Sequence, residues 1–148
     1  MAGFPDAFAS KVIDFVTGRG TTPVYLALLT EDPGAAASLD TLPEDTTAGY
    51  ARQPISWNAP AVVTEGTPPV SATNADVMFG PYTVDQVDAG SHVAIVTAAA
   101  GTTGEVRWVQ QLDAPFAAKV GDTLLLPAGS IDMGFLGGGD ASSADAVG

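Results

Sequence analysis

The sequence predicts a mainly β protein: an antiparallel β-sandwich of about seven strands, with one N-terminal amphipathic helix and a Gly-rich C-terminal tail. The chain has 17 Gly and 11 Pro among 148 residues, and this composition favours short strands and turns over long helices. Hydrophobic residues make up 46% of the chain, which argues against a disordered protein. The length matches one ordinary domain, which we assign to residues 1–136, with residues 137–148 as the tail.

The first predicted element is a helix over residues 5–17. Pro5 is suited to a helix start and Gly18 to a helix end. An apolar stripe follows at helical spacing and consists of Phe4, Phe8, Val12, Phe15 and Val16. Two uses of this stripe stay open, namely packing on the sheet of the same chain and docking on another subunit.

Two strands and two loops are predicted next. Residues 24–30 form a nearly continuous apolar run, which indicates a strand buried on both faces, and residues 35–48 read as a polar surface loop. Residues 49–57 alternate in polarity, and Pro54 makes this strand an edge strand or a bulged one because it lacks an N–H group. Residues 62–73 contain Gly66 and two adjacent prolines, and we expect an exposed loop there.

The second half of the chain predicts a short strand followed by two strand pairs. Residues 74–80 form the short strand, with Val77 and Phe79 facing inward. Residues 91–97 and 105–112 flank a small Gly/Thr loop and are expected to form a hairpin. On its second strand, Val106, Trp108 and Leu112 are expected to share one face.

A second strand pair is predicted from residues 122–126 and 130–136, which flank the turn sequence Pro127-Ala128-Gly129. Trp57 and Trp108 share strand faces with aliphatic residues, so we expect both indoles to fill the core. The alternative use is a sugar-stacking platform built from Tyr50, Trp57, Tyr82 and Trp108.

The charge of the chain excludes several classes of partner. The formal net charge is −12 with only five Lys and Arg residues, which opposes binding to nucleic acid or to an anionic membrane. We see neither an N-terminal signal peptide nor an apolar run long enough to span a bilayer. The product is therefore expected to accumulate in the cytoplasm of the cell that makes it. Without cysteine, disulfides and thiolate metal sites are excluded.

No residue pattern predicts catalysis, a cofactor or a metal. His92 is the single histidine and begins an apolar strand without an evident catalytic partner. Carboxylate pairs for glycoside hydrolysis are conceivable at Asp85 with Asp88 and at Glu31 with Asp32, but these residues lie in turn-like segments. Oxygen ligands for calcium are present in number, without an EF-hand loop.

Five segments, taken in order, resemble a family of small structural proteins of tailed-bacteriophage particles. The members are labelled tail-fibre-like, minor tail or head-decoration proteins, and the resemblance covers roughly residues 3–135. Behind the short helix, the segments read VYLALLTEDPG (24–34), GYARQPISW (49–57), NADVMFG (74–80), HVAIV (92–96) and GDTLLLPAGSIDM (121–133). The resemblance implies a non-enzymatic β-sandwich of the virion, and it brings no catalytic residues to this chain.

Within such a particle, we expect a capsid decoration protein on the exterior that binds neighbouring subunits. A fibre shaft requires sequence repeats, and none is found, while the acidic charge would repel packaged DNA. The expected partners are a major capsid or tail protein and copies of the chain itself, for instance as a trimer. The candidate contacts are Phe4, Phe8, Val12, Phe15, Gly137, Gly138 and Gly139. The alternative is a minor tail or fibre-like protein that binds a receptor or carbohydrate through Tyr50 and Tyr82.

Overall fold

The computed structural model describes residues 5–19, 21–63 and 65–134 of the chain. In this part it contains one helix followed by eight strands, and all the strand pairs are antiparallel. The predicted class is therefore confirmed. The elements are α1 (Asp6–Thr17), β1 (Val24–Leu29), β2 (Gln53–Ile55), β3 (Val70–Ala72), β4 (Val77–Phe79), β5 (Gly90–Val96), β6 (Val106–Phe116), β7 (Leu124–Leu126) and β8 (Asp132–Gly134). Phe4, Gly137, Gly138, Gly139 and the rest of the predicted tail lie outside the described residues.

Helix α1 begins and ends where the sequence predicts, but it buries a different stripe. Gly18 adopts a left-handed conformation with φ of 67° and caps the helix end, as expected of a C-terminal glycine. The buried positions are Ala9, Ile13 and Thr17, whereas Phe8 and Phe15 are exposed. Of the stripe predicted from the sequence, Val16 packs against the core while the two phenylalanines stay at the surface, so the structure divides the stripe between the two uses left open. Adjacent stripes of a helix have the same spacing, so periodicity alone cannot choose between them.

The largest sheet has four strands in the order β2-β1-β5-β6, and both of its faces are covered. Leu26 and Leu28 of β1 point into the main cluster, while Ala27 and Leu29 point into the second cluster. The main cluster consists of Ile13, Val24, Leu26, Leu28, Trp57, Val77, Phe79, Tyr82, Val93, Ile95, Ala118, Ile131 and Met133. The second cluster consists of Ala27, Leu29, Leu39, Ala94 and Val96. β1 is thus buried on both faces, as predicted.

The segment 35–48 closes the second cluster, so the prediction of a polar surface loop is wrong for part of it. Leu39 is only 5% exposed and packs on the sheet, and Leu42 packs beside it. The backbone follows the sheet as well, because Asp45 donates its N–H to the carbonyl of Leu28 at 2.9 Å. Leu39 and Leu42 therefore cover the sheet, while Ala35 and Ala36 at the start of the segment are exposed.

Two small sheets complete the fold, and both connect segments that are distant in sequence. β3 pairs with β8, and β4 pairs with β7. The predicted pairing of the two last strands with each other is therefore wrong. The expectation of an exposed loop over 62–73 is also wrong for β3, whose Ser71 is buried and donates its hydroxyl to the carbonyl of Asn58. A buried polar residue between apolar neighbours that are exposed or half-buried inverts the usual pattern, so the alternation of the sequence does not reveal this strand.

The hairpin of β5 and β6 is confirmed, but a register shift changes the faces of β6. Val96 pairs with Val106 and Ile95 with Trp108, so one extra residue of β6 lies between the two pairs. Trp108 consequently packs on the main cluster, whereas Val106 packs on the second cluster. The prediction that these two residues share a face is wrong because a bulge reverses the alternation. At the opposite edge, Pro54 lies in β2, an edge strand as predicted.

Candidate interaction surface

The outer flank of α1 presents an apolar stripe, which we call the helix surface and define as Phe8, Val12 and Phe15. Phe8 is 50% exposed and Phe15 is 61% exposed, while Val12 is half-buried. Their spacing of i, i+4 and i+7 places them on one side of the helix, about 10 Å from end to end. The helix is fixed to the domain by its neighbouring stripe, which leaves the rings of Phe8 and Phe15 half or more exposed.

Arg107 of β6 ties Phe15 to the sheet. Its guanidinium carbon lies 4.1 Å from the centroid of the Phe15 ring, and its Nη1 donates to the Phe15 carbonyl oxygen. The Nε of Arg107 donates to Glu105 at 2.7 Å, and the arginine side chain is only 10% exposed. One face of the aromatic ring is therefore supported by a cation. The contact restricts the motion of the Phe15 side chain, so less conformational entropy is lost when a partner binds it.

A buried ion pair fastens the loop over the second cluster. Arg52 donates from Nε and Nη2 to the two carboxylate oxygens of Glu44, both at 2.9 Å, and from Nη1 to the Ala98 carbonyl at 3.0 Å. The Tyr50 hydroxyl donates to the same carboxylate and accepts the Leu28 N–H. The hydrogen bond to Glu44 is the main cause that raises the pKa of Arg52. Burial, followed by Glu44, raises the pKa of Tyr50 well above its ordinary value.

A second buried network surrounds Asp45. Its carboxylate accepts the Tyr82 hydroxyl at 2.7 Å, the Gln86 amide at 3.1 Å, and the N–H and hydroxyl of Thr47. Burial, followed by the hydrogen bond to Asp45, raises the pKa of Tyr82 well above its ordinary value. Gln86 in turn accepts the Ala118 N–H, which connects the network to the segment after β6. These four donors satisfy a buried charge.

The aromatic residues considered for sugar stacking do not form a platform. Tyr82 is 1% exposed and Trp57 is 4% exposed, and both belong to the main cluster. Trp108 and Tyr50 pack against that cluster, and the Tyr50 hydroxyl is engaged by Glu44. The expectation that the tryptophans fill the core is confirmed. The expectation that Tyr82 is an exposed aromatic residue is wrong, whereas Tyr50 is half-buried. Binding of a receptor or carbohydrate stays a prediction.

The residues considered for catalysis have structural contacts. Asp85 accepts the Val120 N–H at 3.0 Å, and Asp32 accepts the Gly34 N–H at 2.9 Å. The Nδ1 of His92 lies 2.8 Å from the hydroxyl of its neighbour Ser91. Within the described ranges, no three acidic or histidine side chains converge as a metal site would require. No helix in those ranges is long and apolar enough to cross a membrane.

Two surface hollows flank these elements. One, of about 450 Å³, lies where α1 ends and is lined by Thr and Ser side chains together with Val24, Ile55 and Trp57. The other, of about 480 Å³, is acidic and is lined by Glu31, Asp85 and Asp88 beside the loop 42–48. The described lining of neither hollow includes a histidine or a lysine. We therefore regard the helix surface as the candidate functional feature of the described residues.

Two site residues escaped sequence reasoning, namely Arg52 and Arg107. The sequence has only five Lys and Arg residues, and these two lie inside segments predicted to be strands. A cation that interrupts a strand in so acidic a chain is a signal for a specific partner, since an arginine in that position needs several hydrogen-bond acceptors. Their partners, Glu44 and the Phe15 carbonyl, could not be identified without the fold.

The chain matches a known protein family. Residues 3–134 match the family model described as podophage GP4 fiber I protein gp80. This range includes the helix, all eight strands and both buried networks. A search of curated proteins gives no match.

Proposed function

We propose that this chain is a compact structural module of the fibre apparatus. It belongs to the family of the podophage GP4 fiber I protein gp80, whose model matches residues 3–134. The prediction of a phage virion structural protein is confirmed by that membership. The finer proposal is that the module attaches a fibre to its neighbours or ends it, rather than forming its shaft. In support, the sequence lacks the repeats that a shaft would need.

The observation that carries this proposal is the helix surface. Two phenylalanines that are half or more exposed lie two helical turns apart on an element whose other side is anchored in the core. Exposed apolar stripes with i, i+4 and i+7 anchors are a common means by which a helix docks in the groove of a partner. We propose that the partner is a neighbouring virion protein, of the tail or capsid, and that this chain performs no catalysis.

The acidic charge of the module supports a position on the exterior of the particle. Its formal net charge is −12, and four of its five cations already have an acidic partner within the chain at 2.8, 2.9, 2.7 and 3.9 Å. Such a surface is repelled by packaged DNA. The charge is equally compatible with capsid decoration, so location has to be measured directly.

Particle incorporation of helix-surface variants tests the proposal. Phages carrying Phe8→Ser with Phe15→Ser should lose most of the protein from gradient-purified particles, measured by immunoblot. Val87→Ser is the matched control, because Val87 is 92% exposed and lies in the segment that borders the acidic hollow. Normal incorporation of the double variant, with an unchanged melting temperature of the purified protein, would refute the role of the helix surface.

Immunogold labelling separates the two locations. Labelling at the tail or its fibres is the expected result, and labelling spread over the capsid would favour decoration instead. Deletion of residues 137–148 tests the predicted contact at Gly137, Gly138 and Gly139. We expect reduced incorporation from this deletion, and full occupancy would remove the tail from the contact.

A further inference from the structure

The two edges of the four-stranded sheet are unequal. β2 has three residues and contains Pro54, so this edge offers little backbone for pairing. β6 has eleven residues, and none of them makes a backbone hydrogen bond beyond β5 to another described residue. A long strand edge with unused N–H and C=O groups is a template for another strand. Pro115 lies only at its far end.

We infer that the edge of β6 pairs antiparallel with β6 of a second copy of this chain, about a twofold axis at Gln110. Residues 108–111 pair with β5 without interruption, so the backbone is regular there and can accept a second neighbour. In this register Gln110 lies opposite its own equivalent. Trp108 lies opposite Leu112, and Val109 lies opposite Gln111.

One apolar pair of β6 is complementary to itself in this register, and the strand carries no net charge. Arg107 and Asp113 are its charged residues, and Arg107 is already held by Glu105 and the Phe15 carbonyl. Trp108 and Leu112 pack against the same cluster, so they share a face and form an apolar cross-strand pair. A strand with zero net charge, in a chain whose net charge is −12, is a surface where two copies can approach.

Gln110 provides a separate observation at the axis. The residue is 9% exposed, and its buried side-chain oxygen lacks a hydrogen-bond partner. A buried amide oxygen without a donor lowers stability, because the free energy of its desolvation is not offset by a hydrogen bond. The equivalent amide of the second copy brings an N–H donor to this position, and each copy satisfies the other by symmetry. A two-fold contact of this kind uses one patch twice, which is typical of homo-oligomers.

Sedimentation velocity of the purified full chain over a concentration series tests the inference, independently of the helix surface and of particles. The wild type should dimerise, and Gln110→Glu should weaken the dimer on the order of tenfold, because two carboxylates would then face each other at the axis. Gln53→Glu is the matched control, since it makes the same charge change on β2, the opposite edge strand. A monomeric wild type, or equal weakening by both variants, would overturn the inference.

A single cysteine tests the register. The chain has no cysteine, so Gln110→Cys introduces one thiol, which lies opposite itself only if the twofold axis passes through residue 110. Mild oxidation should give a disulfide-linked dimer of this variant, while Asp88→Cys should remain uncrosslinked. A dimer that fails to cross-link through residue 110, or that cross-links equally through residue 88, would overturn the proposed pairing.

Discussion

The ion pair between Glu44 and Arg52 should contribute far more to stability than the one between Glu105 and Arg107. The Arg52 side chain is 6% exposed and that of Glu44 is 20% exposed, whereas Glu105 is 54% exposed. Glu44→Gln removes the charge but keeps the size, so it leaves a buried guanidinium without its counter-ion. Breaking a buried pair from one side costs about 3–5 kcal/mol, and the partial exposure of Glu44 reduces our expectation to about 2–4 kcal/mol.

Urea denaturation and thermal unfolding measure this difference. For a chain of this length, a loss of about 2–4 kcal/mol lowers Tm by about 6–12 °C. Glu105→Gln is the matched control, with an expected loss below about 1 kcal/mol because the pair is exposed on one side. The double variant Glu44→Leu with Arg52→Met should recover most of the stability, since neither charge is then buried alone. Equal losses in Glu44→Gln and Glu105→Gln would refute the reasoning.

Three further predictions address the tyrosines, the helix cap and the buried helix stripe. The raised pKa values of Tyr50 and Tyr82 mean that the folded state keeps both phenols protonated. Stability present at neutral pH should therefore be lost above about pH 10, by about 1.4 kcal/mol per pH unit for each tyrosine. Tyr82→Phe should lower this pH dependence by the contribution of one tyrosine, about 1.4 kcal/mol per pH unit. An unchanged pH dependence, measured by urea denaturation above about pH 10, would contradict a raised pKa of Tyr82. Gly18→Ala should cost about 2–3 kcal/mol, because the new Cβ would lie 2.1 Å from the Thr22 carbonyl oxygen in a left-handed conformation. Gly34→Ala has the same sign of φ with open space around it, so a similar loss there would show that the close contact at Gly18 is unimportant. Ile13→Ala should cost about 2–4 kcal/mol and Phe15→Ala less than about 1 kcal/mol in the same assay. The opposite order would restore the aromatic stripe as the buried one.

Local patterns predicted the elements of this fold better than they predicted its pairings. The apolar run over residues 24–30 predicted a strand buried on both faces, and Gly18 predicted the end of the helix. Both patterns are local, because each is contained in a few adjacent residues. β3 was missed because its inward residue is Ser71, whose burial depends on an acceptor thirteen positions away. The partners of β7 and β8 were assigned wrongly for a related reason. Antiparallel neighbours joined by a short turn are a common arrangement, and sequence does not show that each strand pairs elsewhere.

The candidate surface was predicted in part. Phe8, Val12 and Phe15 were proposed as subunit contacts, and the structure leaves the two phenylalanines at the surface. Tyr50 and Tyr82 were expected to be exposed, but their hydroxyls are engaged by Glu44 and Asp45, and their rings pack against or within the main cluster. Sequence could not place these carboxylates, since the loop 35–48 has no periodic pattern. The support of Phe15 by Arg107 joins residues that are 92 positions apart.

Because both faces of the four-stranded sheet are covered, the residues that stabilise the fold of this protein differ from those that a partner of the sheet can contact. The main cluster and the second cluster cover the apolar side chains of β1 and β5, so a partner of the four-stranded sheet meets its perimeter, for instance at the helix flank or the outer strand. Substitutions at exposed perimeter positions typically change stability by less than about 0.5 kcal/mol. Such a module can exchange one neighbour for another over evolutionary time while its interior stays the same.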